Sequence, residues 1–401
     1  MFTRNLLLFL GGRLAGNIAM QVQSAAVAWQ LWRLTEDPLM LGFVGLAQFV
    51  PMFAFTLYAG DIADRFERRR ILAASYIVEG ICAAIFLGLT LNGTTDVWPF
   101  FATLVLFGTA RAFSAPASQS FLPQIVPLED LPRAISVSST VFQIAVIAGP
   151  ALGGAALLAG PAAAYGICLT LFLVTAAAVY AITLIKREVA PIGGTLLQRV
   201  VEGIAYVRRR REIMGAITLD LFAVLLGGAA ALIPIFATEI LHVGPLGFGF
   251  LKAAPAIGAA VMSVALTMRP LDRNAGMKMF LCVAVFGLAT VVFGLSENFY
   301  LSFAALITMG AADMVSVNVR HSLTQLATPD HMRGRVSAVN MLFIGASNEL
   351  GEFESGVTAA WWGAVPAVIV GGLGTLAVVG MGAYVFPELR KIDRLSDLKP
   401  E

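Results

Sequence analysis

Charged residues are scarce in this 401-residue sequence. Asp, Glu, Lys and Arg together make up 13% of it, hydrophobic residues make up 58%, and the mean hydropathy is +0.82. Soluble domains carry about 25% charged residues. No soluble core could bury this much apolar surface. The composition therefore excludes an ordinary soluble protein and predicts a chain that spans a membrane.

Cysteine and histidine are also rare, with three of each. The cysteines fall inside apolar segments, where a thiol acts as a small apolar side chain, so no disulfide is expected. The histidines make no metal-ligand spacing, and no nucleophile with its base and no phosphate-binding loop is apparent. We therefore expect no metal, no cofactor and no enzymatic activity. Nothing in the sequence indicates nucleic-acid binding.

Runs of about 20 apolar residues predict the fold class, an all-α membrane protein. The runs are separated by turns or charge clusters and give twelve transmembrane helices. The predicted spans are 5–33, 39–59, 71–91, 97–121, 134–158, 162–185, 213–241, 246–268, 277–295, 299–326, 335–360 and 364–386. The longest break predicts an N-terminal six-helix bundle (1–186), a cytoplasmic amphipathic linker (187–212), a C-terminal six-helix bundle (213–389) and a cytoplasmic tail (390–401).

Basic residues are concentrated in alternate loops between the predicted spans. One set of loops holds clusters such as 65–70 and 208–211, and the opposite set holds almost no Lys or Arg. The positive-inside rule then places both termini in the cytoplasm. We expect a multi-pass protein of the cell inner membrane that contacts the lipid bilayer and functions as a monomer.

The second half of the sequence repeats part of the first at an offset of 202 residues. Gly-Thr-Ala-Arg at 108–111 returns as Gly-Ala-Ala-Asp at 310–313, and the flanking residues return with it. A repeat of this kind indicates a chain built as two related halves. Arg111 has become Asp313, so the halves carry opposite charges at matching positions.

Ionisable residues inside the predicted spans are the candidates for a functional site, because each costs about 2.5 to 3.5 kcal/mol or more at a helix centre. For Asp313 three roles stay open: a proton-coupling carboxylate, a structural partner of Arg111 or Arg320, and a substrate contact. Arg111 keeps its proton, so it either tunes a carboxylate or holds an anion. The candidates for proton coupling or the cavity wall are Asp313, Arg111, Asp220, Glu349, Glu352, Arg13 and Arg320.

Some of these candidates have plainer alternatives. Asp220 has either a functional role or an interhelical hydrogen bond. Glu79 lies on span 3, which we expect outside the cavity wall, so a structural role is expected for it. Glu349 and Glu352 lie three residues apart on one helical face, so we expect at least one of them to be protonated or paired. The polar side chains of Asn17 and Gln21 on the first span fit a hydrated substrate cavity better than lipid contact.

The loop between spans 2 and 3 combines an acidic residue with several arginines. A carboxylate facing guanidinium groups forms charge-assisted pairs, and a pair made in only one conformation acts as a latch. A solvated topological anchor is the alternative. The candidate latch residues, including a weaker counterpart in the second half, are Gly60, Asp64, Arg65, Arg68, Arg69, Asp272 and Arg273.

This loop resembles the signature Gly-x-x-x-Asp-Arg-x-Gly-Arg-Lys/Arg of the major facilitator superfamily. Glu67 stands where that family usually has glycine. In span 5, Gly-Pro-Ala-Leu-Gly-Gly at 149–154 resembles the antiporter motif of the same family, and small residues with a proline suit a helix that moves. The candidate hinge residues are Gly149, Pro150, Gly153 and Gly154. Stretches 111–116, 241–245 and 333–352 resemble the branch of enterobactin exporters and macrolide efflux proteins.

The resemblance implies two six-helix bundles related by a pseudo-twofold axis, which open alternately to each side of the membrane. It implies proton-coupled export of a small, partly apolar organic compound, either drug-like or a siderophore, with that compound and protons as the partners. Two alternatives stay open: a dedicated siderophore exporter, and a lipid-handling or regulatory membrane protein of the same fold without proton coupling.

Overall fold

The computed structural model describes residues 3–119, 121–184, 196–269, 271 and 273–394, and within them all regular structure is helical. The prediction of an all-α membrane protein is confirmed. The α-helices are α1 (Arg4–Thr35), α2 (Pro38–Arg65), α3 (Arg68–Leu91), α4 (Trp98–Gln119), α5 (Leu131–Leu157), α6 (Pro161–Tyr180), α7 (Leu196–Arg209), α8 (Arg211–Leu226), α9 (Ile233–Ile235), α10 (Gly244–Met268), α11 (Ala275–Leu295), α12 (Phe299–Leu326), α13 (Asp330–Trp362), α14 (Ala364–Val385) and α15 (Pro387–Arg390).

Ten helical segments of the described chain are long and apolar enough to cross a membrane. Helices α1 and α13 coincide with predicted spans 1 and 11 but are not among the ten. Both carry polar side chains along their length, such as Asn17 and Gln21 in α1 and Glu349 and Glu352 in α13. The count of twelve spans therefore stays a prediction.

Helix α3 shows how the spans face lipid. Ile77, Ile81 and Ile85 follow one another at four-residue spacing and are 46%, 49% and 38% exposed. Glu79 and Phe86 lie on another face and are buried. A hydrocarbon environment suits this pattern, because the helix pairs its own backbone groups and its apolar side chains need no shielding from lipid.

Helix ends are fixed by side chains and glycines. The Thr3 hydroxyl accepts a hydrogen bond from the backbone N–H of Leu6 at 3.3 Å at the start of α1. The Asn298 side chain accepts two at the start of α12, at 2.9 and 3.2 Å. Gly160 and Gly363 have φ of 94° and 87°, a conformation that glycine adopts without strain, at the turns α5–α6 and α13–α14.

The start of the predicted tail packs against α11. The Asp393 side chain accepts a hydrogen bond from the backbone N–H of Asn274 at 2.7 Å, and its carbonyl accepts one from Ala275 at 3.1 Å. These N–H groups open α11 and have no partner within the helix. The start of the tail thus caps the N-terminal end of α11. Residues 395–401 lie outside the described part of the chain.

The chain divides into two compact units. Unit 1 comprises Met1–Glu36, Leu46–Gly193 and Gly244–Ala253, and unit 2 comprises Asp37–Gly45, Gly194–Val243 and Ala254–Glu401. In unit 1, α1 packs on α5 and α6, and α3 packs on α4 and α6. In unit 2, α11 packs on α12 and α14, and α13 packs on α7 and α8. The predicted domain boundaries at 186 and 213 stay a prediction.

Predicted span 7 is not one regular helix. Helix α8 ends at Leu226 and is followed by a 3₁₀ turn (Ala229–Leu232), the short α9 and a π-helical turn (Phe236–Ile240). Gly227 and Gly228 lie at the break, and a side chain at Gly228 would collide with the backbone carbonyl of Gly351 on α13. Close packing against α13 explains why glycine interrupts the helix here.

The predicted linker contains helix α7. Val207 is buried, and Ile204 packs with it in the core of unit 2. The Tyr206 hydroxyl donates a hydrogen bond to the carbonyl of Ala327 at 2.8 Å, and Arg335 on α13 forms an ion pair with Glu202 at 2.6 Å. Ile204 and Val207, on the apolar face of α7, therefore contact protein. Residues 187–195 of the predicted linker lie outside the described residues.

Candidate functional site

A buried ion pair joins α8 to α12 in unit 2. The Arg320 guanidinium donates a hydrogen bond to the Asp220 carboxylate, and the two side chains are 4% and 5% exposed. The Thr324 hydroxyl donates to the Arg320 carbonyl one turn further along α12. A buried charge is tolerated when it is paired in this way. Arg320 therefore has Asp220 as its partner.

Asp313 lies beside this pair without joining it. Asp313, Ser316 and Arg320 follow one another at spacings of three and four residues, which places them on one face of α12. A cavity of about 10 Å³ is lined by Asp313, Asp220, Ser316 and apolar side chains, among them Phe286. That volume is at the lower limit for one water molecule.

The cavity contains polar atoms whose hydrogen-bonding capacity is unused. Among the described residues, Asp313 makes no hydrogen bond or ion pair. The Ser316 hydroxyl is buried and has no hydrogen-bond partner. Buried polar groups are nearly always satisfied, so the unpaired Ser316 hydroxyl next to the half-buried Asp313 carboxylate is unusual for a protein interior.

Arg111, the counterpart of Asp313, lies in a second polar cluster in unit 1. Glu79 on α3 is buried, accepts a hydrogen bond from the Ser114 hydroxyl at 3.1 Å, and is close enough to Arg111 for a Coulombic interaction. Ser114 corresponds to Ser316 at the 202-residue offset. The same serine position therefore has a carboxylate partner in the first half and none in the second.

Arg13 on α1 belongs to the same region of unit 1. Its guanidinium lies over the ring of Phe142, 5.6 Å from the centroid, and Tyr76 is within Coulombic range. Its Nε is buried without a hydrogen-bond partner. The Asn17 side chain donates a hydrogen bond to the Arg13 backbone carbonyl at 2.6 Å. Asn17, a candidate cavity residue, therefore uses one of its amide N–H groups within α1.

Glu349 and Glu352 on α13 converge on Gly45 of α2. A Cβ at Gly45 would lie 2.9 Å from an oxygen of Glu349 and 3.0 Å from an oxygen of Glu352. The two oxygens are therefore at most about 6 Å apart, since both lie close to one point. Both carboxylates thus lie on the side of α13 that meets Gly45, and glycine at this position leaves room for them.

The candidate hinge packs α5 against α1. A side chain at Gly149 would collide with the Cβ of Gln21, and one at Gly153 would approach Ala25 at 3.1 Å. Gln21 is therefore packed, in part, against α5. Helix α5 continues through Pro150 to Leu157.

A second glycine contact brings α5 close to α10. A Cβ at Gly154 would lie 2.8 Å from the Cα of Gly249, and a Cβ at Gly249 would lie 2.7 Å from the Pro150 carbonyl. Backbones approach this closely only where neither residue has a side chain. The apolar motif of span 5 thus forms helix crossings on two sides.

The candidate latch is described only in part. Only the backbone of Gly60, Asp64 and Arg65 is described, Asp272 lies outside the described residues, and Arg68 is half-buried. Arg69 forms an ion pair with Glu67 at 2.8 Å, donates to the Ile182 carbonyl at 2.9 Å, and lies over the Tyr180 ring. Arg273, the weaker counterpart, is exposed.

Glu67 does not need to be glycine. Its φ of −62° is open to any residue, and its carboxylate contacts both Arg69 and Arg70, at 2.8 and 2.9 Å. The departure from the family signature therefore supplies an acidic partner for the arginines of this loop.

Two further charged residues lie in the membrane spans: Lys252, which is not among the candidates from the sequence, and Glu79, for which a structural role is expected. Lys252 on α10 donates to the Ser24 hydroxyl at 3.3 Å and lies 6.0 Å from the Phe248 ring centroid. Glu79, considered structural from its span alone, joins the Arg111 cluster. Both residues stand alone as charges in apolar runs, which is the signal that could have identified them.

The sequence profile of the family described as transmembrane secretion effector matches residues 8–400. The chain belongs to this family of major facilitator superfamily transporters. Relatives include enterobactin exporter EntS of Shigella boydii serotype 4, 23% identical over 93% of this chain and 90% of that protein, and EntS of Citrobacter koseri, 24% identical over the same shares.

Solved structures of other superfamily transporters share the fold. A bacterial homolog of the human lysosomal transporter Spinster, in an inward-facing and unoccupied conformation, has a TM-score of 0.76 at 13% identity and covers 98% of this chain and 99% of its own. A bacterial homologue of the iron transporter ferroportin has a TM-score of 0.71 at 15% identity, covering 98% and 100%. The chain is a multi-pass membrane protein, and the expectation of a transporter rather than an enzyme is confirmed.

Proposed function

We propose that the chain is a proton-coupled exporter of a small, partly apolar organic compound, working by alternating access in the inner membrane with both termini cytoplasmic. Two six-helix halves with a pseudo-twofold relation and activity as a monomer belong to this proposal. The 202-residue repeat and the resemblance of the 149–154 motif to that of antiporters support it.

One observation carries the proposal: Asp313 is an unpaired carboxylate beside a fixed ion pair. Arg320 is engaged by Asp220, so it does not neutralise Asp313 as well. A carboxylate in apolar surroundings that lacks a cation is stabilised by binding a proton. Asp313 would then carry the transported proton, the Asp220–Arg320 pair would hold α8 and α12 in register, and Ser316 would bind the water through which the proton arrives.

The first experiment identifies a substrate. An efflux-deficient host expressing the chain would be screened for growth over antibiotics, dyes and siderophores. The full chain would then be placed in vesicles with an acidic interior and a trapped pH-sensitive dye. Adding the substrate outside should alkalinise the interior, because an antiporter exchanges it for protons.

Asp313→Asn tests the residue. This variant should remain folded and lose the pH-gradient-driven movement of substrate. A variant whose transport keeps the dependence of the wild type on the pH gradient would remove Asp313 from the coupling role.

A dedicated siderophore exporter is the second candidate, favoured by relatives that are named enterobactin exporters over 93% of this chain. Deletion of the gene from its host should then cause a siderophore to accumulate inside the cell. A lipid-handling or regulatory role without coupling predicts instead that no compound changes the pH inside the vesicles.

A further inference from the structure

The two halves place opposite charges at equivalent positions, and this is true at two positions rather than one. Arg111 corresponds to Asp313 at the 202-residue offset. The 202-residue offset places Arg13 opposite Gly215, but when the first residues of α1 and α8 are aligned, Arg4 with Arg211, Arg13 corresponds to Asp220. The first and fourth helices of the N-terminal half carry guanidinium groups where their counterparts carry carboxylates.

Each cluster also contains one residue of the opposite sign. In unit 1, Glu79 interacts with Arg111, and Tyr76 is within Coulombic range of both Glu79 and Arg13. In unit 2, Arg320 pairs with Asp220, which lines the same cavity as Asp313. The unit 1 cluster therefore has one positive charge in excess, and the unit 2 cluster has one negative charge in excess.

The two excess charges differ in how they can be neutralised. A carboxylate becomes neutral by binding a proton, whereas a guanidinium keeps its charge under all physiological conditions. The part of the chain that the structure describes places no further carboxylate in the unit 1 cluster, so its excess charge is balanced either by solvent or by an anion from outside the cluster. Because Glu79 interacts with Arg111, the unbalanced cation is Arg13.

The surroundings of Arg13 fit the acidic group of an apolar molecule. Its buried Nε donor is unused, and a guanidinium donates in a fork that matches a carboxylate. The Phe142 ring under the guanidinium and the nearby Tyr76 offer aromatic surface for the body of such a ligand.

We propose that Arg13 binds the acidic group of the exported compound, so that the substrate is an organic anion with an apolar body. This inference rests on the proposed export function for its physiological meaning. The same chemistry has a second possible source, an inorganic anion such as chloride, and the experiment separates the two.

The test measures binding to the full chain in detergent micelles by titration calorimetry, in gluconate buffer. Three acids are compared with their neutral amides: benzoate with benzamide, 2-naphthoate with 2-naphthamide, and indole-3-acetate with indole-3-acetamide. At least one acid should bind about tenfold or more tightly than its amide, as expected for a charge-assisted hydrogen bond. Arg13→Gln should remove the preference, Arg13→Lys should keep part of it, and Glu79→Gln should increase it.

Three results would overturn the inference: no preference for the acid in any pair, an undiminished preference in Arg13→Gln, or chloride binding that fully displaces the acids at about 0.15 M. If the size-exclusion profile shows that Arg13→Gln does not fold, Arg13→Lys becomes the test. A preference for acid over amide in Arg13→Lys that equals the wild-type preference for all three pairs would then contradict the site. If a substrate drives proton movement but no acid is preferred over its amide, only this inference is wrong. If the acids bind but no substrate drives proton movement, only the proposed function is wrong.

Discussion

Replacing Asp220 by asparagine should destabilise the protein far more than the same replacement at Asp313. Asp220 and Arg320 are both buried and contact each other directly. Asp220→Asn leaves the Arg320 guanidinium without its counter-charge, and breaking a buried pair by removing one partner costs about 3 to 5 kcal/mol. Asp313 makes no ion pair or hydrogen bond among the described residues, so Asp313→Asn should change stability by about 1 kcal/mol or less.

The assay is equilibrium unfolding of each variant in mixed micelles with increasing sodium dodecyl sulfate. The double variant Asp220→Asn with Arg320→Gln should recover most of the loss, because it removes both charges and leaves two amides that can hydrogen-bond. The two aspartates line the same cavity, so Asp313→Asn is a matched control for the change from Asp to Asn. Equal losses for the two single variants, or no recovery in the double variant, would refute the assignment of Arg320 to Asp220.

Three further predictions concern packing, capping and the loop arginines. Gly249→Ala should destabilise the chain by about 1 to 3 kcal/mol in the same unfolding assay, because its Cβ would lie 2.7 Å from the Pro150 carbonyl. Gly166→Ala is the control. No atom lies within 4 Å of a Cβ at Gly166, so this variant should be neutral or stabilising. Asn298→Ala should lower stability by about 1 kcal/mol through loss of the α12 cap, and Asn298→Asp should retain it; equal losses in both would argue against capping. Glu67→Ala should change stability by less than about 1 kcal/mol, since its pairs with the half-buried Arg69 and the exposed Arg70 are open to water in part and screened by salt. A loss that persists in high salt would contradict this.

The helices could be predicted from the sequence because lipid leaves few options. A chain segment in hydrocarbon must satisfy its own backbone, so each apolar run of sufficient length becomes a helix. The break after Leu226 is the exception. Gly227, Gly228 and Pro234 are residues typical of a helix break. The close contact of Gly228 with α13, however, is a tertiary feature that no local sequence pattern contains.

The polar positions of the site were also identifiable, because each is costly in an apolar segment. Their partners were not. Arg320 pairs with Asp220, which lies 100 residues away along the chain. The spacing of the two residues does not indicate that α8 meets α12 at this point. Glu79 was considered structural because only its helix was known, whereas its contact with Ser114 depends on how α3 packs on α4.

The most direct test of the coupling role of Asp313 separates exchange from driven transport in one variant. Vesicles containing Asp313→Asn would be preloaded with the identified substrate, and entry of labelled substrate would be followed with no pH gradient and then with an acidic interior. In Asp313→Asn, exchange of labelled for unlabelled substrate without a pH gradient should continue at a rate near that of the wild type. Accumulation of the substrate driven by the pH gradient should be lost. Gradient-driven accumulation at the wild-type level would contradict the coupling role of Asp313.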